Sequence, residues 1–355
     1  MNPVYRSLFA PALLAGVMLA HVPAALAQTA GPAPLRIADL RPASLQIEGR
    51  DPPMSIASHA PLLEISTEDA SFIKVHFDHF SLPAGLALVV ENPDGSEAYR
   101  YSSHQRDGHT FDRSLGHNGR TSFSAMSISG PRAVLRLEGT ATERWRPHHG
   151  IRVSGYHEGY PDEMIETLQS EGLLDEVGTQ AICGSNDKRG VACYASSEPA
   201  AVDRSRPVAR LVMSGSLCTA WRVGPTNRMF TNNHCMSTAA RVAASEVWFN
   251  HQAPSCGGTS AGTVVKVAGD QMLATNSSLD YTLFTVRDFA SIASFGYLGL
   301  DIASTGVGDQ IYIPQHPGGR LKELGIVSYT DGGGYCRING NYNDNFGYNC
   351  DTEGG

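Results

Sequence analysis

The chain is 355 residues long and carries 27 Lys and Arg against 35 Asp and Glu, a formal net charge of −8. No run of Lys and Arg forms a phosphate-tracking stripe, so the charge argues against nucleic acid as a partner. All seven cysteines lie at or after Cys183, so two differently stabilised halves are expected, the second held by disulfides in an oxidising compartment.

The first residues carry one cation, Arg6, then an apolar run over 8–20 interrupted by Pro11, then Ala25-Leu26-Ala27. A cation, a short apolar core and a small-x-small cleavage pattern make residues 1–27 an export signal. The run is about a dozen residues, short of the roughly 20 a membrane span requires. The mature protein is therefore expected outside the cytoplasm, secreted to the medium or periplasm, with no membrane association once the signal is removed. The rest of the chain accommodates two domains of about 150 residues.

Residues 28 to about 60 are rich in Pro, Ala and Ser without a sustained period, which predicts a loosely ordered lead-in. Over 72–80, Ile73, Val75 and Phe77 alternate with Lys74, His76 and Asp78, the period-2 pattern of a half-buried strand. Residues 86–90, the turn Asn92-Pro93-Asp94-Gly95 and residues 98–101 read as a hairpin. Further strands are predicted at 122–128, 134–137 and 151–156, giving a β-sandwich of about 100 residues. Pro161 then opens a short helix to Ser170, with Asp162 and Glu163 in its first turn, where the helix dipole favours anions. Gly172 follows its end, and the first half is read as a β-rich region over 28–177.

Beyond it the composition shifts to Cys, Gly and Asn. Strands are predicted at 208–213, 247–250, 262–267, 281–286, 310–314 and 324–329, with no long helix, which argues for a barrel or sandwich. Met229-Phe230-Thr231-Asn232-Asn233-His234-Cys235 ends an apolar strand on a histidine followed by a cysteine. Such a histidine suits a general base, because its pKa lies near neutrality and a neighbouring disulfide would hold its ring. Cys218, seventeen residues upstream on the preceding strand, is placed to supply that disulfide. Asp280 opens the alternating strand Tyr281-Thr282-Leu283-Phe284, where a carboxylate can accept the other ring N–H, fix the tautomer and stabilise the imidazolium.

Thr231-Asn232-Asn233-His234-Cys235 resembles the Thr-Ala-Ala-His-Cys box of trypsin-like endopeptidases, and Asp280-Tyr281-Thr282-Leu283 resembles their Asp-Ile-Thr-Leu box, in the same order. Within that clan, residues 178–355 are most similar to the bacterial lysyl endopeptidases, through Cys183, Cys193, Cys256 and Gln315-His316-Pro317. The resemblance implies an all-β, chymotrypsin-like double β-barrel with an incomplete second barrel, preceded by a β-sandwich-like pro-domain. It also implies His234 as base, Asp280 as orienter, Gly355 as one donor of the oxyanion hole, and the disulfides Cys218–Cys235 and Cys193–Cys256. Cys336 and Cys350 can close a local loop. Cys183 is left over, because its family counterpart bonds a cysteine beyond the nucleophilic serine. That serine would follow directly on Gly355, so the chain is expected to be truncated just before it and inactive as given.

The implied protein is a secreted serine endopeptidase precursor cleaving peptide bonds, after Lys or Arg in the family pattern. Protein or peptide substrates and its own pro-region are its partners; it needs no cofactor and is expected to be a monomer. The pro-domain is expected to assist folding and to cover the cleft. A tyrosine, Tyr329, stands near where lysyl endopeptidases place a tryptophan, which weakens any strict lysine preference. His148-His149 and His76-x-x-His79 do not read as metal sites, since no His-Glu-x-x-His occurs and alternation puts His76 and His79 on opposite strand faces. His316, beside Pro317 and Gly318, reads as structural. The competing reading is a secreted, non-catalytic binding protein that keeps a protease scaffold.

Overall fold

The alternating runs of the N-terminal half become strands β1 (Leu35–Arg36), β2 (Ala38–Arg41), β3 (Leu45–Glu48), β4 (Leu63–Ser66), β5 (Phe72–Ser81), β6 (Leu86–Glu91), β7 (Ala98–Tyr101), β8 (Phe123–Ser124), β9 (Ile128–Ser129), β10 (Arg132–Gly139) and β11 (Gly150–Gly159) in a computed structural model. It describes residues 34–48, 61–170, 182–301, 305–342 and 345–354. The expected export signal, the proposed boundary at 177–178 and Gly355 lie outside the described residues.

Two antiparallel sheets, β4-β10-β6-β7 and β2-β11-β5-β8 with β3 and β9 alongside, enclose one apolar core. Ile73, Val75 and Phe77 of β5 enter that core together with Leu88 and Val90 of β6 and Leu135 of β10. The structure corrects three sequence expectations here. The expected lead-in holds strands β1 to β3, whose partners lie in β14 and β11, far along the chain, so no local pattern announced them. The polar face of β5 is solvated only at Asp78: Lys74, which meets Glu246 of a second body, and His76, which meets Ser124 and His157, are buried. The expected strand over 122–128 is split into β8 and β9, both pairing with β5.

That second body starts beyond helix α1 (Asp162–Ser170), with β12 (Arg189–Gly190) and α2 (Pro199–Ser205). Next come β13 (Val208–Met213), β14 (Ser216–Arg222), β15 (Met229–Thr231), α3 (Ala239–Ala243), β16 (Ser245–Phe249), β17 (Val265–Asn276), β18 (Tyr281–Val286) and α4 (Phe289–Ile292). Strands β14, β13, β16, β17, β18 and β15 pair in that order, and β15 pairs back to β14, closing a six-stranded antiparallel barrel. Closure leaves no edge within the ring and encloses Leu211, Met229, Val247, Phe249 and Phe284. β1 from the N-terminal half adds to the rim of β14.

β17 runs nine residues past the apolar stretch predicted at 262–267. Its second half exposes polar side chains and carries two register shifts against β18, so hydropathy alone does not reveal it. This long arm carries the turn before Asp280. At its root Gly269 is required, since a Cβ there would come within 2.2 Å of the Val242 carbonyl oxygen where α3 crosses β17.

The remaining strands are β19 (Ile313–Gln315), β20 (Glu323–Gly325), β21 (Val327–Ser328), β22 (Gly334–Tyr335), β23 (Ile338–Tyr342) and β24 (Asn345–Tyr348). They form a three-stranded sheet β12-β20-β19 and the pairs β21-β22 and β23-β24. The strand expected over 324–329 is divided between β20 and β21. Disulfides join Cys193 to Cys256, Cys218 to Cys235 and Cys336 to Cys350, and Cys183 is free among the described residues. No helix among the described residues is long and apolar enough to cross a membrane.

Candidate active site

β15 and β18 are neighbours in the barrel, with Thr231 opposite Thr282. The chain leaving β15 and the chain entering β18 therefore emerge side by side, and His234 and Asp280 lie just beyond those paired ends. The His234 Nδ1 is 2.7 Å from Asp280 Oδ2. The His234 backbone N–H donates to Oδ1 at 2.9 Å, and the Asn232 amide donates to Oδ2 at 3.0 Å. A carboxylate accepts only, so the ring proton is on Nδ1 and the Nε2 lone pair is bare. Nε2 has no hydrogen-bond partner among the described residues, and the side chain is 19% exposed.

Burial works against the Asp280 charge, but the His234 backbone N–H, its ring and Asn232 outweigh it and hold the carboxyl below the usual range. Asp280 is thus an anion whenever the imidazole needs one. Its backbone lies at φ 46°, in the left-handed region that aspartate tolerates better than most residues.

The loop is tied down from several sides. Cys235, next to His234, is bonded to Cys218 in the middle of β14, and both are buried. The Thr231 hydroxyl donates to the Thr219 carbonyl and the Thr282 hydroxyl to that of Met236, each at 2.8 Å. The Met236 N–H closes a turn on the Asn232 carbonyl at 3.2 Å. The Asn233 amide donates to the Thr275 hydroxyl at 2.7 Å, on the β17 arm. A base fixed this way loses little entropy when it accepts a proton. Ligand atoms of Cys218, His234 and Cys235 approach within 4.8 Å of one another. The two sulfurs are joined in a disulfide, so neither is the thiolate a metal would take.

Sequence reasoning passed over Asn232 and Asn233. Both stand where the resembled box has alanine, and each has a side-chain partner; that departure was the available signal.

The C-terminal stretch approaching Gly355 is clamped. Glu353, 7% exposed, meets the buried Lys188 Nζ at 2.8 Å and the Arg320 guanidinium at 3.1 Å. The Gly354 carbonyl accepts the Gly318 N–H at 2.7 Å. The Asp351 carboxylate accepts the backbone N–H groups of Cys183 and Asp187 at 2.8 and 2.7 Å. Two residues before Gly318, His316 donates its backbone N–H to the Thr219 hydroxyl at 3.2 Å, which ties this stretch to β14 beside Cys218.

His316 is fully buried, and its Nδ1 donates to the Arg320 carbonyl at 3.0 Å, a structural position. Tyr329 is exposed, near Gly184. His76 is held by Ser124 and His157 at 2.8 and 2.7 Å, while His79 reaches the His148 carbonyl, so the two do not share a site.

Residues 183–355 match the family model described as lysyl endopeptidase, C-terminal domain. The chain is also 25% identical over 315 residues to Secreted RxLR effector protein 73 of Plasmopara viticola, covering 82% of this chain and 71% of that protein. Over its second half, then, the chain is related to lysyl endopeptidases.

Proposed function

We propose that this lysyl-endopeptidase-related chain carries the base and orienter of a secreted serine endopeptidase made as a precursor. The observation that carries the reading is the 2.7 Å contact between His234 Nδ1 and Asp280 Oδ2, which leaves Nε2 bare. In this reading a serine hydroxyl reaches Nε2 from the segment that Glu353 and Gly354 lead into, with Gly355 donating to the oxyanion. The serine oxygen attacks the scissile carbonyl as its proton passes to Nε2. The C–N bond then breaks, the proton goes to the leaving amine, and water releases the acyl group by the same relay. The closed barrel is the first of two chymotrypsin-like barrels, and the small sheets after Ile313 belong to the second. Residues 1–27 direct export, and the chain is cut near Gly178, between 28–177 and the peptidase part.

The test is the protein as its natural host secretes it, assayed on fluorogenic peptides ending in Lys or Arg, with and without a serine-directed covalent inhibitor. Hydrolysis abolished by the inhibitor and by His234→Ala is the expected result. A secreted protein that neither hydrolyses the peptides nor takes up the inhibitor would instead favour a binding protein on this scaffold. The relative described as a secreted effector supports that second reading.

A further inference from the structure

We infer that the N-terminal half, residues 34–170, is a permanently docked partner of the barrel and stays bound when the chain between Ser170 and Ile182 is cut. The inference does not depend on whether His234 acts in catalysis.

The first support is the backbone. β1 pairs with β14, Leu35 opposite Leu217 and Arg36 opposite Ser216, and the Ile37 N–H donates to the Gly215 carbonyl at 2.7 Å. A strand of the N-terminal half thus completes a ladder of the barrel, the bonding pattern of β-augmentation. The second is apolar packing. Leu35, Ile37, Phe72 and Ile165 share one buried cluster with Leu217 and Trp248. Phe72 meets Trp248 edge to face at 5.4 Å between ring centroids.

The third is a crossed pair of buried charges. Glu246 of β16 is fully buried, and its counter-ion is Lys74 of β5. Lys266 of β17 has Glu97 of the N-terminal half at 2.6 Å. Ser127 donates its N–H and hydroxyl to Glu246 at 3.1 and 3.2 Å, and its carbonyl accepts from Lys266 at 2.7 Å. Glu246 and Lys266 therefore each find an opposite charge across the junction, and separation leaves both to water. Obligate interfaces are the more hydrophobic class, and this junction has an apolar core of its own.

The docked half also leaves the His234–Asp280 side of the candidate site free of its own hydrogen bonds and ion pairs. Its hydrogen bonds and ion pairs fall on β14, β16, β17, the end of α3 through Phe111 N–H to the Ala243 carbonyl, Arg287 beyond the far end of β18, and Arg320, which Glu166 of α1 meets at 3.1 Å. Among the described residues none reaches 231–236 or 276–282. No hydrogen bond or ion pair between described residues links this half to His234, so continued docking is compatible with its accessibility, while Arg320, which Glu166 meets, also holds Glu353. The 315-residue similarity to the effector protein is far longer than the stretch 183–355, so it too spans both halves.

The experiment inserts a recognition sequence for a site-specific protease between Ser170 and Ile182 of the full chain and cuts it natively. A denaturing gel verifies cleavage, and size exclusion with native mass spectrometry reads the product. At micromolar concentration the two pieces are expected to co-elute as a 1:1 complex, and elution as separate pieces would overturn the inference. In the cut chain, Lys74→Met should raise the dissociation rate about 100-fold, since removing one partner of a buried charge pair acts mainly on dissociation. An unchanged rate would overturn the role given to the charges. If that variant fails to fold, the unmodified cut chain decides.

Discussion

The buried pair Lys74–Glu246 yields the sharpest number. Replacing Lys74 with Met keeps most of the aliphatic stem and removes the charge. Glu246 then keeps the Trp248 indole N–H at 2.8 Å on Oε2 and the Ser127 N–H and hydroxyl on Oε1, with Lys266 nearby. Stranding one member of a buried ion pair costs about 3–5 kcal/mol. With three donors remaining, the low end applies, about 3 kcal/mol, or about 1 M in the urea midpoint for a slope near 3 kcal/mol/M. Trp248 contacts Glu246 directly, so intrinsic fluorescence during urea titration reports the junction itself. The pH dependence gives a second check. Burial opposes the Glu246 charge, but Lys74 and Lys266 outweigh it and hold the carboxyl below its ordinary 4.5. Wild type therefore keeps this stabilisation above pH 4.5 and loses it as pH falls further. Without Lys74, burial raises the carboxyl instead, so the variant's deficit is largest near neutrality and narrows toward pH 4. The variant Lys74→Met/Glu246→Gln, which has no charge to strand and keeps an acceptor for the Trp248 and Ser127 donors, should recover most of the loss. A deficit below about 1 kcal/mol, the size of an exposed pair, would refute the reasoning.

In the secreted protein, Asp280→Asn should lower kcat about 10⁴-fold with little change in KM; a loss under tenfold counts against Asp280 as orienter. Burial, followed by Lys74, pushes His157 down to about 4, and burial, followed by Arg287, does the same to His109. Both sit well below an unfolded value near 6.5, so stability should be full above that pH and decline from 6.5 toward 4; a flat urea midpoint over this range would contradict it. Gly215 has φ +83°, and a Cβ there would lie 3.2 Å from both the Ala38 carbonyl oxygen and His157. Gly215→Ala should therefore cost about 1–2 kcal/mol in the same titration, and an unchanged midpoint would show that the junction yields. Opening the 17-residue loop by Cys218→Ala/Cys235→Ala should cost about 3 kcal/mol, read from thermal unfolding.

Strands with local signatures were legible. The predicted 98–101, 208–213 and 281–286 match β7, β13 and β18 residue for residue, because each combines alternation or a β-branched run with a turn at its ends. The approach of His234 to Asp280 was legible for a related reason: each follows or precedes a strand that the apolar pattern marks. What stayed hidden depends on distant partners. β1 is two residues long and exists because β14 accepts it. Lys74 and His76 read as a solvated face because alternation reports where polarity falls, not what will cover it. The register shifts of β17 and the hydrogen bonds of Asn232 and Asn233 likewise follow from three-dimensional neighbours.

β1 also carries a consequence for biosynthesis. The ribosome delivers the N-terminal half first, so the template strand and the charges at the junction exist before β14 and Glu246 have left the exit tunnel. The β1–β14 ladder cannot form until β14 has emerged, so it joins segments synthesised far apart in time. A transplant that carries only the later residues would leave that template strand and its junction charges behind.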